Sequence, residues 1–186
     1  ATPNVRQRVI LPILHSRVMK VLAFPVVAWI LFAGVMWGTH FSPLFEASLE
    51  DPLIHDLEHA LYLAAGLLFW WPAVGLDPSP WRMPHPVRAM YVFLQMPQNT
   101  FLAVTILNSG AVLYPHYATL VRPWGPSVLD DQQIAGGLMW ITGDILFLAG
   151  LAAILVGWML HEKAREAVVD RRLDRDGRLA DAELAQ

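Results

Sequence analysis

Two histidines on one helical stretch carry the clearest chemical signal in the sequence. His55 and His59 are four residues apart, so both imidazoles project from one helix face at a separation that a single metal ion can bridge. The chain has no cysteine, which leaves His, Met, Asp and Glu as possible ligands. Other side chains that could complete a few-coordinate site of the kind that suits Cu(I) are His40, His116, Met36 and Met139.

Acidic residues stand close to these candidates in the sequence. A carboxylate beside a metal-bound imidazole can accept its second N–H and so orient the ring. The acids placed to do this are Asp56, Glu58, Asp130 and Asp131. Each candidate also has a simpler interpretation, because histidine is common at interfaces and methionine often only fills packing gaps. We expect that simpler, solvated or interfacial role for His85 and His161.

The string HDLEH from His55 to His59 also fits H-x-x-E-H, the inverted zinc-peptidase signature. That chemistry needs a third metal ligand, usually a carboxylate from another helix. Only Asp130 or Asp131 could serve, since no glutamate lies between His59 and Glu162. So short a pattern recurs by chance, and peptidase activity is the least favoured interpretation.

Composition indicates that these residues lie on membrane helices. Hydrophobic residues make up 55% of the 186 residues and charged residues only 16%, whereas a soluble domain has about 25% charged residues. The net charge of -3 gives no basic surface for nucleic acid. The apolar runs predict an all-α, polytopic transmembrane helix bundle with four spans, at residues 21–39, 53–74, 89–114 and 132–160. The domains are then a flank at 1–20, a four-helix domain at 21–160 and a charged tail at 161–186.

Polar residues and glycines interrupt the last two spans. Pro97 predicts a kink in span three, lined by Gln95, Gln98 and Asn99. Asp144 lies near the predicted membrane centre and needs a polar partner there, for which Gln98 and Asn99 have suitable depth. This group is either an interhelical hydrogen bond or part of a proton or ion path. A stripe that would let a second helix approach closely is formed every seven residues by Gly136, Gly143, Gly150 and Gly157.

The distribution of lysine and arginine predicts the orientation. Basic residues lie in the N-terminal flank, the second loop and the tail, while the first loop has none and the third has only Arg122. By the positive-inside rule, both termini of this chain are cytoplasmic. With this orientation, the metal-binding candidates lie at the outer ends of the four spans and therefore share the outer membrane face. The start of the sequence lacks Met and a compact signal-peptide core, so we expect a fragment of a longer protein.

Four strings carry a resemblance to a known family: WGTH at 37–40, HDLEHALYLAAGLLFWWP at 55–72, YPHY at 114–117 and DDQQIAGGLMW at 130–140. Over about residues 10 to 160 the chain resembles the membrane-bound CtaG family of cytochrome c oxidase assembly factors, of the type associated with caa3 oxidases. The resemblance implies a multi-pass protein of the bacterial plasma membrane, needed to make an active copper-haem oxidase and with a suggested part in copper delivery. The family's usual proteins have more than four spans, and some relatives are fused to a copper-resistance-type membrane domain. Upstream transmembrane segments are therefore expected.

Three functional hypotheses follow. The first is a copper-handling assembly factor whose outer His/Met cluster receives copper, as Cu(I), and passes it to oxidase subunit I or II without enzymatic turnover. The second is a haem-binding redox protein, since histidines on membrane helices are also haem ligands, although here the histidines crowd the interface. The third is a structural scaffold whose glycine stripe docks an oxidase helix.

Overall fold

The computed structural model describes residues 11–14, 16–75 and 79–184, the last eight of these and residue 13 as backbone only. Every regular element in this part of the chain is helical, which confirms the all-α prediction. The helices are α1 Leu11–Leu14, α2 Arg17–Leu22, α3 Pro25–His40, α4 Pro43–Glu50, α5 Pro52–Val74, α6 His85–Phe93, α7 Gln95–Leu107, α8 His116–Thr119 and α9 Val128–Leu184. Most of the predicted flank, and the start of the sequence on which the fragment prediction rests, lie outside the described residues.

Local sequence signals set the ends of α5, which closely matches the predicted span at 53–74. The Asp51 carboxylate caps the helix by accepting from the backbone N–H of Leu53 at 2.7 Å, and Pro52 occupies the first turn, where no N–H is required. At the other end Gly75 adopts the left-handed conformation, with φ of 70°, which a residue with a side chain rarely adopts.

The third predicted span is divided in the structure. Helices α6 and α7 are separated at Leu94, three residues before Pro97. Pro97 has no N–H to bond the carbonyl of Phe93, and its ring crowds that carbonyl. The helix after the break ends at Leu107, so residues 108–115 form an irregular segment instead of the end of a span.

Membrane-crossing capacity is clearest for the last helix. Among the described residues, α9 alone is long and apolar enough to cross a bilayer, and α3 with α4, bent by 65° between them, could form a second span. α5 has the length, but the polar side chains of its first turns lower its hydropathy. The four-span arrangement stays a prediction. The predicted tail continues α9 as one helix to Leu184.

Aromatic packing holds α5, α6 and α9 together. Phe69 is fully buried and stacks on Tyr91, with ring centroids 4.8 Å apart. It also meets the edge of Phe147 from α9 at 5.9 Å, and the Tyr91 hydroxyl donates to the Phe69 carbonyl at 3.2 Å. This core fixes the three helices whose ends carry most of the polar residues described below.

Candidate functional site

A cavity of about 240 Å³ lies among the C-terminal end of α3, α4, α7, the start of α9 and the largely irregular segment 108–127, which contains the short helix α8. It is lined by three of the residues predicted for the metal site, namely His40, Asp131 and Met139, and by Gly136 of the predicted glycine stripe. Aromatic, polar and small side chains complete the wall: Phe45, Ile106, Val112, Tyr114, Tyr117, Arg122, Val128, Gln132 and Ala135. The structure thus brings one imidazole, one thioether and one carboxylate to a common space.

The backbone of α3 fixes the chemistry of His40. Its Nδ1 lies 2.7 Å from the carbonyl oxygen of Met36, and a carbonyl can only accept, so Nδ1 carries the proton. In the neutral imidazole the lone pair is then on Nε2, which is available to a metal ion. The ring also stacks on Phe45, with centroids 6.0 Å apart.

A chain of hydroxyl groups connects His40 to a buried acid. The Thr39 hydroxyl donates to the Val35 carbonyl at 2.8 Å and lies 3.3 Å from Nδ1 of His40. The Tyr62 hydroxyl lies 2.8 Å from Thr39 Oγ1 and 3.1 Å from Oε1 of Glu58, so its one proton is shared between two acceptors. Glu58 is only 3% exposed. This network crosses from α5 to α3 and fixes the position of the His40 turn.

The irregular segment closes the cavity through bonds to three helices. The Tyr114 hydroxyl donates to the His40 carbonyl at 3.3 Å, and Gln132 of α9 accepts from the N–H of Leu113 at 2.7 Å. The backbone N–H of His116 donates to Glu46 of α4 at 2.6 Å. The ring of His116 lies beside the Glu50 carboxylate, with Nδ1 to Oε1 at 3.6 Å. His116 is therefore directed to the acids of α4.

An ion pair forms one wall of the cavity. Arg122 donates to Asp131 at 2.8 Å, which holds the irregular segment against the start of α9. The pKa of the nearby Tyr117 is raised, mainly by burial and also by the charge of Asp131, while Arg122 acts in the opposite direction. Asp130, by contrast, is exposed and accepts from the Ser127 hydroxyl at 2.6 Å, where it stabilises the first turn of α9.

The histidine pair of α5 lies outside this cavity. The rings of His55 and His59 are 4.3 Å apart between centroids, and both residues are exposed, as is Asp56. Glu58 faces the helix packing instead and does not accompany the pair. Among the described residues, which include all four predicted histidine ligands, no group of three or more His or carboxylate side chains could hold a metal ion. The four histidines are thus divided among an exposed pair, His40 in the cavity and His116 beside α4.

A second polar cluster lies deeper between α7 and α9. The Asp144 carboxylate accepts from Asn99 at 3.2 Å, Thr100 at 3.3 Å and the indole of Trp140 at 2.8 Å. Gln98 turns to α3 instead, where it accepts from the Trp37 indole at 2.9 Å. An inner cavity of about 130 Å³ beside this cluster is lined by Gln98, Asn99 and Gly143, and also by Met36. Met36 therefore lies at a different cavity from Met139.

The glycine stripe is used mainly inside the chain. A Cβ added to Gly136 would lie 2.9 Å from the backbone nitrogen of Leu107, and one at Gly143 would lie 2.5 Å from the Asn99 side chain. At Gly150 it would meet the Trp70 ring at 2.5 Å. Gly157 has nothing within 4 Å. Three of the four glycines thus accommodate α7 or α5.

Comparison with known sequences places the chain in a family. Residues 1–161 match the family described as cytochrome c oxidase caa3 assembly factor, CtaG. The chain belongs to this family. The resemblance predicted from the four strings is therefore confirmed, and three of those strings line the cavity of this CtaG chain, because they contain His40, Tyr114 and Met139.

The similar curated proteins are mycobacterial and are all named as uncharacterised. Proteins of Mycobacterium bovis and Mycobacterium tuberculosis are each 31% identical over 173 residues, which is 92% of this CtaG chain and 26% of theirs. One of Mycobacterium leprae is 28% identical over 163 residues, 87% of this chain and 25% of its own. The chain thus spans about a quarter of the length of the curated relatives it matches. No solved structure matches it.

Several residues beside the CtaG cavity and in the Asp144 cluster were not predicted as site residues from the sequence. Thr39 and Tyr62 connect His40 to Glu58, and Trp140 bonds Asp144. Two of these contacts have a sequence signal, because both join residues four apart on one helix. Tyr62 follows Glu58 by four residues, and Trp140 precedes Asp144 by four. Thr39 gives no such signal, because its contact crosses between helices.

Proposed function

We propose that this chain is the copper-handling part of a membrane-embedded oxidase assembly factor. In this proposal a copper ion, as cargo, binds in the cavity between His40 and Met139 and is passed to subunit I or II of the oxidase. The family supplies the assembly role. The observation that carries the copper step is the bond from His40 Nδ1 to the Met36 carbonyl, since it leaves the Nε2 lone pair for a ligand beside a thioether.

The donor set suits a transferable Cu(I) ion. One imidazole nitrogen and one thioether sulfur form a soft, few-coordinate site, and soft ligands select Cu(I). Cysteine, which would hold copper more firmly, is absent from the chain. Asp131 adds a carboxylate that attracts a cation, although Arg122 already pairs with it. A site with few ligands can release its ion when a partner offers more of them.

The exposed pair His55 and His59 has a separate place in the proposal. Two imidazoles on one helix face can capture copper from solution or from a donor, but no third His or acidic ligand lies beside them in the described structure. We assign the capture of the copper ion to this pair and its retention to the His40 cavity. The function requires no turnover, so we do not propose an enzyme, and it requires no haem.

The membrane setting is part of the proposal. We place the chain in the bacterial plasma membrane, which it crosses several times. The charge distribution favours cytoplasmic positions for both termini of this chain, and the apolar length of α9 supports a membrane location. This orientation places the cavity at the outer face. Oxidase subunits would then meet the site at the membrane surface.

A copper-loading experiment tests the holding site. The purified chain in nanodiscs is loaded with Cu(I) under reductant, separated from free copper and measured by elemental analysis. The double variant His40→Ala, Met139→Leu should lose most of the retained copper, whereas Met159→Leu, at an exposed position of α9, should retain it. Unchanged retention in the double variant would overturn the cavity assignment.

The exposed pair is tested in the same assay. The double variant His55→Ala, His59→Ala should load copper more slowly but retain the same final amount. Complete loss of copper in this variant would move the holding site to the surface pair. Absence of copper from the wild-type chain would contradict copper handling altogether.

The two alternatives make different predictions. A haem protein would show a Soret band after purification, and the copper carrier should show none. A scaffold that docks an oxidase helix on the glycine stripe is disfavoured, because Gly136, Gly143 and Gly150 already pack against side chains or backbone of this chain.

A further inference from the structure

A basic groove lies at the far end of the bundle from the His40 cavity. It has a volume of about 520 Å³ and is formed by the start of α6, the segment before it and α9. Residue His161 of the groove lies along α9 from Met139 by roughly 33 Å at about 1.5 Å per residue, about the thickness of a bilayer core. The charged or titratable residues that line it are Arg82, His85, Arg88, His161, Glu162 and Arg165.

Among the described residues that line the groove, basic side chains outnumber acidic ones. Its acid, Glu162, accepts from Arg165 at 3.2 Å and from the Trp158 indole at 3.4 Å, so it offsets the charge of Arg165. Arg88 donates to the carbonyl oxygens of Met83 at 2.9 Å and Val74 at 3.3 Å. These carbonyls hold its guanidinium in place without cancelling its charge.

Two histidines line the groove. The rings of His85 and His161 are 5.2 Å apart between centroids, on different helices. The pKa of His85 is lowered, first by burial and then by the charges of Arg88 and His161, while Glu162 opposes the shift. An anion placed beside these rings would accept from their N–H groups and favour their charged forms.

The start of α6 adds the backbone N–H groups of His85 and Val87 to the same place, since Pro84 and Pro86 have none. The nine-residue helix begins at His85, and the residue before it, Pro84, offers no side-chain cap. The N–H groups of a first helical turn and the positive end of the helix dipole favour an anion. The arginines, the histidines and this helix end therefore converge on one kind of ligand.

The surroundings of the groove indicate a lipid. Directly before His161, α9 presents exposed apolar side chains, with Met159 61% and Leu160 62% exposed, and Trp158 lines the groove itself. Tryptophan at the end of an apolar helix is typical of the membrane interface, where headgroups lie beside acyl chains. A free phosphate would use the charges but not the apolar neighbours.

We propose that this groove binds the phosphodiester headgroup of an anionic phospholipid, with its acyl chains against the apolar surface of α9. Basic pockets at the cytoplasmic interface are known lipid sites, and the charge distribution predicts that this end of the chain is cytoplasmic. The binding would fix the depth and tilt of α9 in the bilayer. It does not depend on copper handling.

Native mass spectrometry of the full chain, released from nanodiscs that contain equal phosphatidylglycerol and phosphatidylcholine, tests the proposal. The wild-type chain should retain phosphatidylglycerol selectively. Arg165→Gln should weaken this retention about five-fold, the contribution expected for one basic residue at a membrane surface, and Arg165→Gln with His161→Gln should weaken it further. Circular dichroism would check that each variant keeps its helix content.

A matched control uses an arginine further along the same helix. Arg175 is exposed and pairs with Asp176 at 3.8 Å, so Arg175→Gln removes the same charge outside the groove and should leave retention unchanged. Equal loss in Arg175→Gln would show general surface attraction and overturn the site. Displacement of the lipid by excess inorganic phosphate at equal strength would also overturn it, since the apolar contacts would then contribute nothing.

Discussion

The close backbone approach of α7 and α9 at Gly136 offers a sharp test of the packing. A Cβ at Gly136 would lie 2.9 Å from the Leu107 nitrogen and 3.2 Å from the Ala103 carbonyl oxygen. Its neighbour in the same helix, Gly137, has nothing within 4 Å of such a Cβ. The substitutions Gly136→Ala and Gly137→Ala each add one methyl group, one residue apart. The methyl group at position 136 meets crowded backbone, and the one at position 137 meets open space.

The expected magnitudes follow from two effects. Alanine is favoured over glycine in a helix interior by about 1 kcal/mol, so Gly137→Ala should stabilise the chain by up to that amount. At Gly136 the added methyl meets backbone, which cannot rotate away, and α7 and α9 must separate by roughly half an ångström to restore ordinary contact. Overpacking of this kind costs about 1–3 kcal/mol. Because the helix-propensity gain is common to both variants, the difference between their unfolding free energies isolates the overpacking cost.

Equilibrium unfolding in detergent micelles, followed by circular dichroism, measures that difference. The Gly136 variant should also retain less copper, because Gly136 lines the His40 cavity and its displacement shifts Met139 one turn away on α9. The reasoning is refuted if the two variants change stability in the same direction and by the same amount.

Three further predictions concern polar contacts. Asp144→Asn should destabilise the fold by about 1–3 kcal/mol, because an amide NH₂ would face donors in place of an acceptor, and chemical unfolding would measure the loss. Tyr62→Phe should cost a similar amount, since it leaves buried Glu58 without its hydroxyl donor; an unchanged thermal midpoint would contradict this. His161→Gln should raise the pKa of His85, because the charge of His161 lowers that pKa in the wild-type chain. NMR titration in neutral-lipid nanodiscs measures the shift, and an unchanged pKa would contradict the coupling of the two rings.

Helix positions were predictable where the sequence carries its own end signals. The predicted span at 53–74 corresponds to α5, Pro52–Val74, because Asp51, Pro52 and Gly75 terminate it by local chemistry. The break before Pro97 likewise follows from one residue. The end of α7 at Leu107 carries no comparable signal, and the apolar composition of residues 108–114 extended the predicted span beyond it.

The candidate site was less predictable, because topology predicts the depth of a residue in the membrane but not the rotation of its helix about the helix axis. Charge counting placed His40, His55, His59 and His116 at one membrane face, but it gave no information on the direction in which each helix face points. α5 is apolar on most of its circumference, so its pattern does not mark an inward face. The rotation was decided by Phe69 and its aromatic neighbours, which no spacing rule identified. The contacts of His116 with α4 arise at the start of α8, a four-residue helix that is too short for hydrophobic periodicity to predict its orientation.

The string HDLEH is connected to the His40 cavity through its glutamate, while its two histidines lie outside that cavity. Zinc-peptidase chemistry would need Glu58 and both imidazoles on the same side of α5, but Glu58 is buried and the two histidines are exposed. The glutamate instead holds Tyr62, which bonds Thr39, and Thr39 stands beside the protonated nitrogen of His40. An acidic residue inside the helix packing is costly to bury and is retained where it orients a functional group. Under the proposed function, Glu58 would position His40 for copper, and the surface pair would need no such acid because its proposed task is only to capture the ion.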